Sequence, residues 1–109
     1  ELSFSFLTPK FVRIQNQMEP FGPENMRPVF MSRNVKIKNV RILYEKNIRA
    51  VLQQGNKEFE AIGYNIAGRY AKILEQSRYK PVNVVYYPTF KHRETEQIVL
   101  HIKAFSMPL

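Results

Sequence analysis

The stretch "NVKIKNVRILY", residues 34–44, alternates apolar and basic residues with a period of two, and then changes phase. Val35 and Ile37 alternate with Lys36 and Lys38; Val40, Ile42 and Tyr44 then alternate with Arg41 and Leu43. A period of two is the mark of a half-buried strand. The slip at Asn39 would throw the second apolar set onto the opposite face unless one extra residue is accommodated there. A β-bulge or sharp bend at Asn39 is therefore predicted. It brings both apolar sets to one face and Lys36, Lys38 and Arg41 to the other. A long, bent first strand is what a small closed barrel needs to serve both of its sheets.

The chain downstream fits that reading. Residues 48–53 form a second strand with Ile48, Ala50 and Leu52 on one face, and "QGNK", 54–57, is a hairpin turn. Residues 58–64 form a third strand, with Phe59 and Ala61 toward the core. "NIAGRYAKILEQS", 65–77, spaces Ile66, Tyr70, Ile73 and Leu74 for an amphipathic helix, with Asn65 able to cap it and Gly68 weakening it. "VNVVYY" after Pro81 is a fourth strand, "PTFKHRE" a loop, and "TEQIVLHIKAF" a fifth strand with Ile98, Leu100 and Ile102 on one face. The result is a mainly β chain: five strands with a helix between the third and fourth. That is the order of the five-stranded OB-fold barrel, which binds ligands on strands 2–3 and on the loops after strands 1 and 4. Another small barrel or an α+β sandwich is the competing architecture.

Upstream, Thr8-Pro9 reads as a helix start, and Phe11, Ile14 and Met18 recur at helical spacing, which predicts a short helix over 9–18 ended by Pro20 and Gly22. "EPFGPENMRPVF", 19–30, follows as a stiff, proline-rich connector. The division is a lead-in helix and connector over 1–32 and a barrel over 33–109.

Composition narrows the function. The chain has 109 residues, 44% of them hydrophobic, enough for one domain with a core. No apolar run is long enough for a membrane span and no signal peptide is visible. A first residue of Glu1 rather than Met predicts a piece excised from a longer protein. The absence of cysteine excludes disulfides and thiolate metal sites and fits a reducing cytoplasm. The net charge of +8 is concentrated: residues 33–57 hold Arg33, Lys36, Lys38, Arg41, Lys46, Arg49 and Lys57 against Glu45 alone. Such a patch attracts polyanions, because each neutralised phosphate releases condensed counterions. There is no aspartate, and His92 and His101 are the only histidines. Metal-dependent nucleases hold their ions with clusters of Asp, Glu and His, so a catalytic centre and a metal site are both excluded from the expectation. Glu58 and Glu60, on one face of the third strand, read as cross-strand partners for basic residues.

"MEPFGPENMRPVF" resembles the "L-x-PFG-x-GN-x-x-PVF" segment of RecJ-type exonucleases specific for single-stranded DNA. "LTPKFVRIQNQ" is similar to the short helix before that segment. "NIRAVLQQGNKEFEAIGYN" resembles a "KLxLxDG…LEAIxF" pattern of that family, and "VNVVYYP" with "RETEQIVLHIKAF" resembles its "VDVxFxxxxN…GRExxQLxIKDI". The likeness runs over essentially the whole chain in the same order. Glu24 stands where the family usually has glycine, Arg27 where an acidic residue is common and Ala104 where Asp is usual, and the loop before Arg93 lacks the common Asn and Gly. The resemblance implies the OB domain of a bacterial, cytoplasmic 5′-to-3′ single-strand exonuclease of DNA repair and recombination. It also implies two divalent ions, Mn²⁺ or Mg²⁺, held by Asp and His of catalytic domains elsewhere in the parent chain. The connector would then be a strut that sets the barrel against those domains, with Phe21 and Phe30 as apolar anchors, or the two phenylalanines would belong to the barrel's own core.

Binding a single strand needs cations along the backbone path and aromatic faces for bases. The candidates are Tyr44 and Lys46 in the loop after the first strand; Phe90, Lys91, His92 and Arg93 in the loop after the fourth; Lys36, Lys38, Arg41, Arg49 and Lys57 on strands and turn; and Tyr64 at a strand end. Arg49 could instead pair with Glu58 or Glu60, at least one of Tyr44, Tyr86 and Tyr87 should be core, and His101 reads as a surface or packing residue. The expected partners are single-stranded DNA, the parent's catalytic domains and single-strand-binding protein with its acidic tail. The alternatives are an architectural or protein-docking domain and an unrelated RNA-binding OB barrel.

Overall fold

The computed structural model describes residues 1–17, 27–92 and 94–108. A single 3₁₀ turn, Phe4–Phe6, and a helix, α1 (Pro9–Asn16), lead into five strands: β1 (Phe30–Leu43), β2 (Asn47–Gln54), β3 (Lys57–Gly63), β4 (Val82–His92) and β5 (Gln97–Ser106). A short helix, α2 (Ala71–Gln76), lies between β3 and β4. The strands close into a barrel in the order β1-β2-β3-β5-β4, antiparallel except for the parallel β3–β5 pair. This is the five-stranded OB-type order expected from the sequence.

Two asparagines bend β1. The register slips between Lys38 and Arg41 against β2, where Asn39 has φ 52°, and between Ser32 and Val35 against β4, where Asn34 has φ 55°. Asparagine tolerates the left-handed region better than most residues, which suits it to both bulges. The bulge at Asn39 is the one the phase slip predicts. It leaves Ile37 opposite Leu52 in the core and Lys36, Lys38 and Arg41 opposite Gln53, Val51 and Arg49 on the outer face. The second apolar set is not buried as expected, because Ile42, although opposite Ile48, runs past the barrel toward α2 and is exposed, as are Val40 and Tyr44. The bulge at Asn34 lies where a strand start was expected. The strand instead begins at Phe30, because Phe30, Met31 and Ser32 pair with Tyr86, Val85 and Val84 and so close the barrel.

The core is the inner faces of the strands, with Val35, Ile48, Leu52, Val82, Val84, Tyr86 and Leu100 fully buried. Phe4 joins them from the N-terminal turn: it is fully buried, and its ring meets Phe59 and Tyr86 edge-on at 5.4 and 5.9 Å. Polar contacts hold this plug in place. The Phe4 amide donates to Gln54 Oε1 (2.7 Å), the Leu2 amide donates to the Met31 carbonyl (2.7 Å), and Ser32 Oγ donates to the Leu2 carbonyl (2.6 Å) while sharing a hydrogen bond with the Tyr86 hydroxyl (2.7 Å).

Thr8 caps α1 as predicted, accepting from the Phe11 amide at 3.2 Å, with Pro9 in the first turn. The buried residue of α1 is Val12, not Ile14, which is exposed; Phe11 packs edge-on against Phe30 at 5.5 Å, which ties Phe30 to the barrel. Met18, Pro20, Phe21 and Gly22, and with them most of the connector, lie outside the described residues. The predicted helix over 65–77 is shorter: only Ala71–Gln76 is α-helical. Asn65 does not cap it. Its φ is 60° and its amide donates to Asn47 Oδ1 (3.0 Å), so it terminates β3 instead. Leu74 is buried, and Ile66, Tyr70 and Ile73 pack against the core. Gly63 lets the Ile66 side chain lie directly against the strand: a Cβ there would come within 2.4 Å of Ile66 Cδ1, so any larger residue would make Ile66 move. The expected loop over 88–94 is also revised, because β4 continues through Pro88 to His92. The last β1–β4 pair along β4 is Phe30–Tyr86, so Pro88 pairs only with Leu100 of β5 and lacks a neighbour on the side where its missing N–H would matter.

Candidate nucleic-acid interface

The outer face of the barrel is built in transverse rows, because cross-strand neighbours on one face line up. One row crosses all five strands: Arg41 opposite Arg49, Arg49 opposite Ile62, Ile62 beside His101, and His101 opposite Tyr87. The next row runs Lys38, Val51, Glu60, Val99, Thr89, and beyond it lie Lys36, Gln53 and Glu58. An open groove of about 680 Å³ lies over these rows, lined in part by Arg41, Arg49, Ile62, Tyr64, Lys91 and His101. It covers the β2–β3 face that OB folds use for ligands.

The two halves of this face differ in charge. Arg41 and Arg49 stand directly opposite one another, and among the described residues no carboxylate pairs with either. Like charges in that position cost a few tenths of a kcal/mol in the free protein and favour an anion between them. The second half is neutralised. Lys38 is ion-paired with Glu58, and Lys91 Nζ lies 3.0 Å from Glu60 Oε2. The carboxylates that could have quenched Arg49 are therefore engaged by lysines, one of them reaching across β5. Glu60 is opposite Val51, and Arg49 is opposite Ile62, two residues further along β3.

The row ends in an aromatic column that the sequence reading missed. Tyr87 and His101 stack with ring centroids 4.6 Å apart and 6° between planes. The Arg27 guanidinium carbon sits 4.8 Å and Lys103 Nζ 5.5 Å from the centroid of the Tyr87 ring. His101 Nε2 shares a 2.8 Å hydrogen bond with Thr89 Oγ1. Burial pushes the His101 imidazole below its ordinary value, and the charges of Arg27 and Lys103 push it the same way. At neutral pH it is a neutral stacking ring. The signal available in the sequence was the alternation of Tyr86 and Tyr87: Tyr86 is the buried one, its hydroxyl held neutral by burial against the weaker opposing pull of Ser32, so Tyr87 must face out.

The other predicted residues fall into separate groups. Tyr44 and Lys46 occupy the β1–β2 turn, with Tyr44 87% exposed, and Tyr64 is 61% exposed at the same end of the barrel. Tyr44 and Glu45 have φ 54° and 61°, and the Lys46 amide donates to the Leu43 carbonyl (3.2 Å), the pattern of a type I′ turn. Lys57 and His92 are exposed at the opposite end, and Lys36 is exposed on β1. Phe90 is half-buried opposite Ile98 and packs against the core, with part of its ring lining the groove. Arg93 lies outside the described residues. Among those described, no three His, Cys, Asp or Glu side chains converge to hold a metal ion.

A closed five-stranded barrel with a helix between β3 and β4 and a basic, aromatic outer face is an OB-fold domain of the nucleic-acid-binding class. The family model described as the RecJ OB domain matches residues 1–104, and the chain belongs to that family. No curated protein matches it.

Proposed function

We propose that this domain binds single-stranded DNA without sequence preference and guides it toward catalytic domains of a RecJ-type parent, a cytoplasmic 5′-to-3′ exonuclease of repair and recombination. In that parent, Mn²⁺ or Mg²⁺ would be held outside this domain, where Asp and His are available. The observation that carries the reading is the uncompensated Arg41–Arg49 pair on the β2 side of the barrel, flanked by exposed Tyr64. A phosphate between the two guanidiniums removes their repulsion, and a tyrosine face takes a base of any identity.

The test is fluorescence anisotropy of the chain with a labelled oligo-dT at 50 and 200 mM salt. Binding should weaken steeply with salt. Arg41→Gln/Arg49→Gln should reduce low-salt affinity by about ten-fold and lower the salt slope by about 0.7, the value for one lost single-strand phosphate contact. An unchanged slope would sink the reading. A docking role is favoured by a different feature: a groove beside α2 where Val40 and Ile42 are exposed next to Ala71 and Leu74. If the chain does not bind DNA at 50 mM salt, that groove becomes the working face, with the catalytic domains or single-strand-binding protein as its partner.

A further inference from the structure

We infer that Glu58 and Glu60 are specificity-determining residues that make this face accept one nucleic-acid strand and reject a duplex. The inference rests on the single-strand reading above and concerns the acidic residues of the same face, which that reading leaves without a role. Both carboxylates project from β3 onto the ligand-facing surface, an unfavourable place for negative charge in a polyanion site. Each holds one lysine: Glu58 holds Lys38 and Glu60 holds Lys91. These four side chains sum to zero charge, so among the described cations of this face Arg41 and Arg49 stand together without a carboxylate, and Lys36 stands alone at the β1 end of the Glu58 row.

The spacing gives the selectivity. Along a strand each residue advances about 3.3 Å. Ile62 belongs to the arginine row, so Glu60 lies roughly 7 Å and Glu58 roughly 13 Å from it along β3. A B-form duplex carries two phosphate backbones separated by grooves about 6 and 12 Å wide. With one backbone over Arg41 and Arg49, the second falls over Glu60 or Glu58. It meets two carboxylates there, with Lys38 and Lys91 already paired and Lys36 the one lysine of those rows left to offset them among the described residues. A single strand needs only the arginine row and keeps its bases free to stack on Tyr64. The acidic pair thus acts by repelling the wrong ligand, a route to discrimination that attractive contacts alone do not supply.

The experiment compares a labelled 12-mer oligo-dT with a labelled 12-base-pair blunt duplex, at 50 and 200 mM salt, on the wild-type chain, Glu58→Gln/Glu60→Gln, and a charge-matched control, Glu75→Gln/Glu94→Gln, altered at exposed positions off this face. Circular dichroism melts check that all three fold. The expected result is a wild-type preference for the single strand. In Glu58→Gln/Glu60→Gln, duplex affinity at 50 mM salt should rise about ten-fold and single-strand affinity less than three-fold, and the duplex salt slope should steepen by about 1.8 as Lys38 and Lys91 are released to phosphate. The control should raise both affinities by the same small factor. Equal gains for both ligands in the Glu58/Glu60 variant would reduce the effect to net charge and overturn the inference, as would no gain for the duplex. A wild-type chain that binds neither ligand would overturn the single-strand reading, and this inference with it; that failure is recognised before any variant is compared.

Discussion

At the scale of single residues, His101 is the group whose titration matters. Its folded pKa lies below the ordinary value of 6.5, chiefly through burial and then through Arg27 and Lys103. The unfolded chain therefore binds the proton more readily, and stability falls as pH drops from about 6.5 toward the folded value. DNA acts with the opposite sign: a phosphate near the Tyr87–His101 stack favours imidazolium, so binding takes up a proton. Affinity for oligo-dT should rise between pH 7 and 5.5 in the wild type, and the rise should shrink in His101→Gln. A rise that persists unchanged in that variant would show that His101 is not the group that takes up the proton. This site was not legible in the sequence for a specific reason. Pro88 reads as a strand breaker, which makes the residues beyond Tyr87 look like a loop. The partner row on β1 ends at Phe30–Tyr86, which lets proline sit in β4 at no cost and carries Thr89 up beside His101.

At the scale of elements, the two ends of β1 show what patterning can and cannot reveal. The Asn39 bulge was legible because a two-residue period that changes phase has few other physical solutions. The Asn34 bulge was not, because "FMSRN" carries no alternation strong enough to mark a strand, and its pairing to β4 spans about fifty residues. The ion pair between Lys91 and Glu60 was hidden for a similar reason: it depends on the parallel β3–β5 contact, which local sequence does not announce. The β1–β2 turn adds a feature of its own. A type I′ turn wants Asn or Gly at both centres, yet Tyr44 and Glu45 occupy them with positive φ. Holding a bulky residue there costs about 1 kcal/mol. Tyr44→Asn should therefore stabilise the domain by about 0.5–1 kcal/mol in urea unfolding while weakening oligo-dT binding through the loss of a stacking face. Lower stability in that variant would show that the tyrosine is retained for packing rather than for a ligand.

At the scale of the whole molecule, the N-terminal turn and the barrel share one core. The sequence reading placed residues 1–32 outside the barrel as a lead-in, and nothing in "ELSFSFL" distinguishes a plug from a tail. What decides it is the space between Phe59 and Tyr86, which a phenylalanine ring fills edge-on from both sides. Phe4→Ala should cost about 3–5 kcal/mol, the usual loss for a fully buried aromatic. Set against a total stability of about 5–15 kcal/mol for a domain, that leaves little margin. Urea midpoints of the variant and the wild type measure it directly; a loss below 1 kcal/mol would mean that the turn sits on the barrel rather than in it.

The same plug sets a timetable for biosynthesis. Phe4 leaves the ribosome among the first residues of this domain, but half of its binding site, Tyr86, follows about eighty residues later. At roughly 5–20 residues per second this is a wait of about 4–16 s, during which the apolar "FSFL" run has no place to go. The nascent domain is therefore most exposed to chaperones and to self-association late in its translation, and it becomes safe only when β4 and β5 have both emerged and the barrel closes around its own beginning.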